Sequence, residues 1–332
     1  MEHNNKNEMI EKAPIIFTPY LKSVIWGGNK ICSYKGVEQT ESNIGESWEI
    51  SAVPGHESVV AEGTYRGLKI TELIDRFGAE LLGDEVMKRY DGKFPLLIKI
   101  IDANDNLSVQ VHPDDKLAKV RHNSLGKTEM WYIIDSDKGA KIYSGLKKEI
   151  TPSDYVAHVT DNTFENLLAV HESKPGDVFF LPAGRVHAIG AGNLLAEIQE
   201  SSDITYRIYD YNRRDAQGNP RQLHTEEAKD AIDYTFHENY KSPSVSSDIA
   251  DAEIVKCSHF NVRRLLIDGE KTLKFNPDSF TVILCIKGEI TIHCNSNKIT
   301  LSQGQTVLCP AALDTLKISG NALLLTSRAT CD

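Results

Sequence analysis

Cysteine, methionine and long apolar runs are all scarce in this chain. The sequence has four methionines and no C-x-x-C pair, and its six cysteines are far apart, at positions 32, 257, 285, 294, 309 and 331. We interpret them as reduced thiols, because a small secreted domain would need a disulfide framework. No apolar stretch approaches the ~18 residues of a membrane helix, and the start MEHNNKNEMIEKAP lacks the pattern of a signal peptide. We therefore expect a cytoplasmic protein without membrane contact.

Positive charge is also in short supply. Lysine and arginine total 37 against 47 acidic residues, and the formal net charge is −10. A nucleic-acid or anionic membrane partner needs concentrated basic residues, so we expect neither. If the ligand is an anion, the cations that bind it must be local to a pocket.

Short runs of β-type residues bounded by turn residues dominate what is present, for example 95–101, 107–112 and 177–181. Such spacing favours a sandwich or barrel over alternating strand and helix units. Residues 70–90 instead have apolar residues at helical spacing, interrupted by two glycines. At 332 residues the chain has room for two domains. A polar, serine-rich stretch between about 235 and 252 is typical of a linker, so we divide the chain into residues 1–239 and 240–332.

A short sequence pattern occurs in both halves of the chain. Residues 176–184 read GDVFFLPAG and residues 304–312 read GQTVLCPAA, each a glycine, five residues and then Pro-Ala. Two copies of one β-module are the economical interpretation. Only the first copy continues to a histidine, His187, which completes the pattern G-x5-P-x-G-x2-H.

This longer pattern resembles the second motif of the cupin superfamily, whose jelly-roll barrels hold a metal. The resemblance implies a mainly β protein with two cupin-type barrels and a few short helices, and it implies that His187 is a metal ligand. It also implies further ligands on an earlier hairpin, which corresponds to LSVQVHPDD and TEMWYII. Gln110 and His112 lie two apart on one strand face, and Glu129 shares an inward face with apolar neighbours.

Two imidazoles, a carboxylate and an amide oxygen suit Zn²⁺, one per chain, with positions left for water or substrate. Two histidines and one carboxylate also describe an iron oxygenase. Both metals therefore remain open on ligand type alone. The second half lacks these ligands, so we expect it to be free of metal.

A closer resemblance covers roughly residues 14–330. The segments SVQVHPDD, GKTEMWYI and LPAGRVHAIGAGNLLAEIQESSDITYRIYDYNR, with the early WGG and GESWEIS, are similar to the type I mannose-6-phosphate isomerases in their short bacterial form. That family interconverts mannose 6-phosphate and fructose 6-phosphate at a zinc ion. The resemblance implies a phosphorylated sugar as substrate, and it implies the zinc ligands Gln110, His112, Glu129 and His187.

The resemblance also implies catalytic and substrate-binding residues. Arg207 matches the arginine assigned to the active site, and Asp203 sits where longer enzymes have an aspartate near the sugar. Ser108 and Lys127 match positions associated with the phosphate or the hydroxyls. The reaction moves a proton between C2 and C1 through an enediol(ate), which needs a base and a group that stabilises an oxyanion. Arg207 is a poor base, so Asp203, Lys127 and a metal-bound water are the candidate proton carriers.

Three further residues complete the predicted site. Lys99 stands alone among apolar residues in PLLIKII, and an unpaired lysine inside a strand is costly, so we expect it to bind substrate. Trp26 and Glu49 match the family's pocket walls, although Trp26 can equally be a core residue. An iron-dependent cupin oxygenase and a non-catalytic sugar-binding protein with two cupin domains are the alternative functions, and the chain is expected to be a monomer or homodimer.

Overall fold

The structure is a computed structural model that describes residues 9–214, 217–246, 249–294 and 297–331. Its secondary structure is mainly β, which confirms the predicted fold class. The sheets are open in strand order across these ranges, and the two jelly-roll barrels stay a prediction. No helix in these ranges is both long and apolar enough to cross a membrane.

The helices are short and lie mostly in the first two thirds of the chain. A 3-10 turn covers Phe164–Leu167. The α-helices are α1 (Lys30–Lys35), α2 (Ile70–Phe77), α3 (Ala79–Leu82), α4 (Asp84–Arg89), α5 (Asp115–His122), α6 (Pro152–Thr160) and α7 (Thr225–Ala231).

The strands account for most of the remaining regular structure. In the first half they are β1 (Ile15–Thr18), β2 (Tyr20–Gly28), β3 (Ile44–Ile50), β4 (Val59–Val60), β5 (Leu96–Ala103), β6 (Val109–Val111), β7 (Glu129–Ser136), β8 (Lys141–Leu146) and β9 (Leu168–Glu172). In the second half they are β10 (Val178–Leu181), β11 (His187–Ile189), β12 (Asn193–Glu200), β13 (Tyr206–Tyr209), β14 (Asp251–Lys256), β15 (Phe260–Lys274), β16 (Thr281–Cys294), β17 (Asn297–Ser302), β18 (Thr306–Cys309) and β19 (Thr315–Ala329).

The chain folds into two compact units that are each discontinuous in sequence. Unit 1 gathers the described parts of residues 1–20, 49–96 and 246–332, and unit 2 consists of residues 21–48 and 97–245. The continuous division at residues 239 and 240 stays a prediction about domains. Part of the predicted linker, residues 247–248, lies outside the described residues.

Unit 1 is built on one large sheet, ordered β14-β15-β19-β16-β18-β1-β4, with β17 on β16. The long strands β15 and β19 pair from Phe260↔Ala329 to Lys274↔Thr315. One face buries a cluster of leucine, isoleucine, valine and cysteine side chains. The segment 70–90 also belongs to this unit and is helical, as its apolar spacing predicts. It forms α2, α3 and α4, which are separated at Gly78 and Gly83.

Unit 2 consists of two sheets, ordered β10-β7-β12-β5-β3-β2 and β13-β6-β11-β8-β9. Side chains from both sheets form one core, to which Trp131 and Ile133 contribute from the larger sheet and Ile142 and Ile189 from the smaller. The opposite face of the smaller sheet packs against residues of α6, α7 and the 3-10 turn. This five-stranded sheet is therefore covered on both faces.

The sequence pattern shared by residues 176–184 and 304–312 corresponds to a repeated local structure. Gly176 and Gly304 each have positive φ in a turn that leads into a four-residue strand, β10 or β18. After each strand a second turn follows, closed by Arg185 N to Pro182 O (3.1 Å) in one copy and Leu313 N to Pro310 O (3.0 Å) in the other. The two copies differ in the first residue of the next strand, which is His187 in β11 and Thr315 in β19.

Candidate active site

Three polar residues of LSVQVHPDD, Ser108, Gln110 and His112, face the interior of unit 2. Val109 and Val111 belong to the cluster that packs against the helices, so Gln110, which alternates with them, points between the two sheets. In strand register Gln110 lies opposite His187 on one side and Arg207 on the other. These three residues thus form one row across β13, β6 and β11, on the interior face.

His112, Glu129 and His187 converge on one point. The Nε2 atom of His112 lies 3.5 Å from Oε2 of Glu129, and Nε2 of His187 lies 3.3 Å from Oε1. All three side chains are buried, and one ligand atom from each lies within 4.8 Å of the others. Glu129 begins β7 in the larger sheet, while His187 begins β11 in the smaller sheet and His112 directly follows β6. Two facing sheets therefore supply the cluster.

Backbone carbonyls orient both imidazoles. The Nδ1 atom of His112 is 2.9 Å from the carbonyl oxygen of Ile204, and Nδ1 of His187 is 2.8 Å from that of Arg185. A carbonyl only accepts, so each Nδ1 carries the proton and each Nε2 presents a lone pair to the cluster. Orientation of a ligating histidine through its other ring nitrogen is common at metal sites.

The cluster has the properties of a metal site. Both Nε2 atoms and both oxygens of Glu129 are buried and have no hydrogen-bond partner among the residues that the structure describes. Leaving such atoms unpaired is costly, and a cation would satisfy all four. Burial lowers the pKa of His187 to about 4 and that of His112 well below its usual value, which keeps both imidazoles neutral as ligands. Burial also raises the pKa of Glu129 to about 8 in the absence of a cation.

A turn after β10 places His187. Gly184 has φ +88°, which favours glycine, and its backbone N–H donates to the carbonyl oxygen of His112 at 2.9 Å. A Cβ atom at this position would lie 3.0 Å from the backbone oxygen of Ala231. The glycine of the G-x5-P-x-G-x2-H pattern therefore brings the two histidine-bearing segments together.

A cavity of about 410 Å³ in unit 2 adjoins the cluster through Lys127, whose Nζ lies 3.4 Å from Oε2 of Glu129. Seven of the predicted site residues line this cavity: Trp26, Lys99, Ser108, Gln110, Lys127, Asp203 and Arg207. Five charged or aromatic lining residues were not predicted: Lys22, Glu46, Trp48, Glu197 and Arg221.

Lys99, which was expected to bind substrate because it stands alone among apolar residues in sequence, has two carboxylate partners in the structure, and its role in substrate binding stays a prediction. Its Nζ lies 3.0 Å from Oε1 of Glu197 and 3.9 Å from Oε2 of Glu46, and it sits 5.1 Å from the centroid of Trp48. Burial opposes the charge of Lys99, but the two carboxylates outweigh it and raise the pKa of the lysine. Lys99 therefore lines the cavity as part of a buried ion pair.

Among the charged cavity residues that sequence reasoning missed, Glu197 is the most deeply buried. Trp131 Nε1 donates to its second oxygen at 2.8 Å. Burial opposes ionisation, yet Lys99 and Lys127 lower the pKa of Glu197 to about 2. A signal for it existed, because Glu197 interrupts the apolar run LLAEIQ as Lys99 interrupts PLLIKII, and two such interruptions can pair.

Glu49 is the predicted site residue that the structure does not bring to the cavity. It belongs to unit 1, where Thr306 Oγ1 donates to its Oε2 at 3.3 Å. Its neighbour Trp48 lines the cavity instead. Adjacent residues of a strand point to opposite faces, which explains why only one of the two does so.

Comparison with known proteins shows the family of this chain. The model for the catalytic domain of type I phosphomannose isomerase matches residues 16–140, and that for the mannose-6-phosphate isomerase cupin domain matches residues 251–329. The mannose-6-phosphate isomerase ManA of Bacillus subtilis is 35% identical over 95% of this chain and 98% of its own. The enzyme of Streptococcus mutans is 34% identical, also over 95% of this chain and 98% of its own.

A solved structure shows the same relationship. The crystal structure of the mannose 6-phosphate isomerase from Bacillus subtilis superimposes with a TM-score of 0.87 at 34% identity, covering 95% of this chain and 99% of the other. The resemblance read from the motifs is confirmed. This chain belongs to the type I mannose-6-phosphate isomerase family of enzymes.

Proposed function

We propose that this enzyme interconverts mannose 6-phosphate and fructose 6-phosphate with one zinc ion held by His112, Glu129 and His187. The observation that carries the proposal is the set of four buried ligand atoms in this cluster that have no hydrogen bond to any described residue, beside a cavity with several cationic side chains. The relatives named above are mannose-6-phosphate isomerases, and the identity extends over nearly the whole chain.

Two neutral imidazoles and one carboxylate match catalytic zinc, which takes three protein ligands and leaves a position open. Gln110 shares the sheet row of His187, and its amide oxygen is the candidate fourth ligand. When bound, the ion would act as a Lewis acid that polarises the sugar oxygens and stabilises the charge of the enediolate.

The chain's own residues hold the substrate and move the proton. Lys127 and Asp203 line the cavity and are the two side chains suited to accept the proton at C2 and return it at C1, or the reverse. Arg207 remains cationic at any pH near neutral and stabilises negative charge on the sugar. Ser108 and Trp26 line the same cavity and hold the hydroxyl groups and the carbon chain.

An assay with three readouts tests this proposal. The purified protein is stripped with a chelator, reloaded with zinc or with ferrous iron, and incubated with mannose 6-phosphate. We expect fructose 6-phosphate to form with zinc and to disappear with the chelator. Oxygen consumption with iron but no isomerisation would favour a cupin oxygenase, and sugar binding without turnover under any metal would favour a non-catalytic binding protein.

A further inference from the structure

Three arginines gather around one buried aspartate at one end of the cavity. Asp210 accepts from Nη2 of Arg213 at 2.6 Å and from Nε of Arg221 at 2.7 Å, and Nη2 of Arg221 contacts it as well. Arg207, three residues before Asp210, completes the group. Among these four residues, Arg207 and Arg221 line the cavity.

Asp210 is fully engaged by two of the three arginines. Burial opposes its ionisation, but Arg221 and Arg213 lower the pKa of Asp210, so it stays charged and holds both guanidinium groups. Arg213 also reaches the largely exposed Asp105 at 3.5 Å. The nearby carboxylates are thus already shared between Arg213 and Arg221.

Arg207 has no ion-pair partner among the described residues. Its Nη1 donates to the carbonyl oxygen of Gln222 at 2.9 Å, while its Nε is buried without a hydrogen bond. Burial and the neighbouring Arg221 lower the pKa of Arg207. A half-buried guanidinium beside two others is unfavourable unless an anion joins it. Neither Asp210 nor Asp105, whose ion pairs are with Arg213 and Arg221, is paired with Arg207.

The position of this group relative to the cluster suits an extended sugar phosphate. Arg207, Gln110 and His187 lie in register on three adjacent strands, and adjacent strands are about 4.8 Å apart. A substrate whose C1 and C2 lie at the cluster would carry its phosphate away from it, and the row leads to the arginines. Arginine is well suited to hold phosphate through two parallel hydrogen bonds.

We propose that Arg207 and Arg221 together form the subsite for the phosphate of the substrate, and that Asp210 is a positioning residue that fixes Arg221. This inference rests on the proposed sugar-phosphate isomerisation and names the residues that recognise the phosphate. Arg221 contributes through its charge and through the N–H groups that Asp210 does not engage, because Asp210 accepts only from Nε and Nη2. Phosphate affinity should weaken as ionic strength rises, since the interaction is largely electrostatic.

The variants Arg221→Gln and Arg221→Lys test the subsite, with Arg214→Gln as the matched control. Arg214 is an exposed arginine of the same loop and donates to the carbonyl oxygen of Gly218. For zinc-loaded Arg221→Gln we expect KM for mannose 6-phosphate to rise about ten- to a hundredfold, with kcat nearly unchanged. The KM for mannose, which carries no phosphate, should rise far less. Arg221→Lys keeps the charge but loses the fork geometry, so its KM should be intermediate, and Arg214→Gln should match the wild type.

A binding measurement separates failure of the subsite from failure of the proposed reaction. Inorganic phosphate is titrated calorimetrically into the zinc-loaded wild type and each variant, which needs no turnover. Weaker binding in Arg221→Gln than in Arg214→Gln supports the subsite even if the wild type does not isomerise the sugar. Equal phosphate affinity in the wild type and Arg221→Gln, or an equal rise in KM for mannose and mannose 6-phosphate, would overturn it.

Discussion

The two copies of the repeated module share their turns and a four-residue strand but differ in the residues on their inner faces. In unit 2 the strand after the second turn begins with His187, and its inner face meets a carboxylate and a second imidazole. In unit 1 the corresponding strand begins with Thr315, and the sheet face is filled with side chains such as Ile283 and Ile318. The difference shows that one β-module can surround either a polar cluster with the ligand types of a metal site or an apolar core, depending on the residues on its inner face.

The largest expected effect comes from replacing His187, the residue that distinguishes the first copy of the module from the second. His187→Ala removes one of three cluster ligands, so we expect loss of bound zinc by elemental analysis and a fall in turnover of about a thousandfold or more. Thr315→Ala, at the equivalent position of unit 1, should retain wild-type metal content and rate. Wild-type zinc stoichiometry in His187→Ala would mean that the metal lies elsewhere.

A buried ion pair distinguishes the interior of unit 2 from the surface of unit 1. Lys99→Met leaves Glu197 buried without its closest cation, and we expect it to destabilise folding by about 3–5 kcal/mol in denaturant melts at pH 7. Arg263→Met removes a pair with Asp251 in which both side chains are more than two-fifths exposed, and should cost under about 1 kcal/mol. Equal losses would contradict the assigned burial.

The ion pair between Lys99 and Glu197 also predicts how folding stability depends on pH. The pKa of Glu197 is about 2 in the folded protein, below its value of roughly 4.3 in an unfolded chain. A depressed pKa contributes stability above the unfolded value, and this contribution is lost as pH falls from about 5 toward 2. The gap in stability between the wild type and Lys99→Met should therefore narrow over that range. A constant gap would show that Glu197 is not the group that depends on Lys99.

Shortening a side chain in the apolar core of unit 1 should lower the free energy of unfolding without changing kcat. Ile318 is fully buried in the core of unit 1, and Ile318→Ala should destabilise folding by about 2–5 kcal/mol through the cavity it leaves. At temperatures where the variant is folded, its kcat should be that of the wild type. Val120→Ala, at a side chain that is 80% exposed, is the control and should alter neither quantity. A selective loss of kcat in Ile318→Ala would argue against a purely structural unit 1 core.

The smallest expected effect compares two glycines with similar φ. Gly184→Ala adds a Cβ atom 3.0 Å from a backbone oxygen at the turn that joins the histidine segments, whereas Gly269 has open space around it. We expect Gly184→Ala to cost about 2–4 kcal/mol and to weaken zinc binding. Gly269→Ala should cost only about 1 kcal/mol from backbone strain and leave zinc affinity unchanged. Identical zinc affinity in both variants would show that this turn does not help to position the predicted zinc ligands.

The motif resemblance, supported by alternation along the strands, predicted that His112, Glu129 and His187 lie together, but it did not predict the residues around them. His112 and Glu129 were assigned to inward faces by alternation along their strands, and His187 by the turn residues before it. The partners of Lys99 could not be assigned in this way, because Glu197 is 98 residues away and pairs with it only through the order of strands in the sheet. Arg221 was missed for a related reason, since its approach to Asp210 depends on the path of a loop that has no periodic pattern.

Zinc titration of the metal-free enzyme tests the central claim most directly. Isomerisation of mannose 6-phosphate is measured while zinc is added to chelator-treated wild type and to His187→Ala. The account predicts that wild-type activity rises in proportion to bound zinc and saturates at about one ion per chain, with no recovery in the variant. Full activity in the metal-free wild type, or equal recovery in His187→Ala, would contradict it.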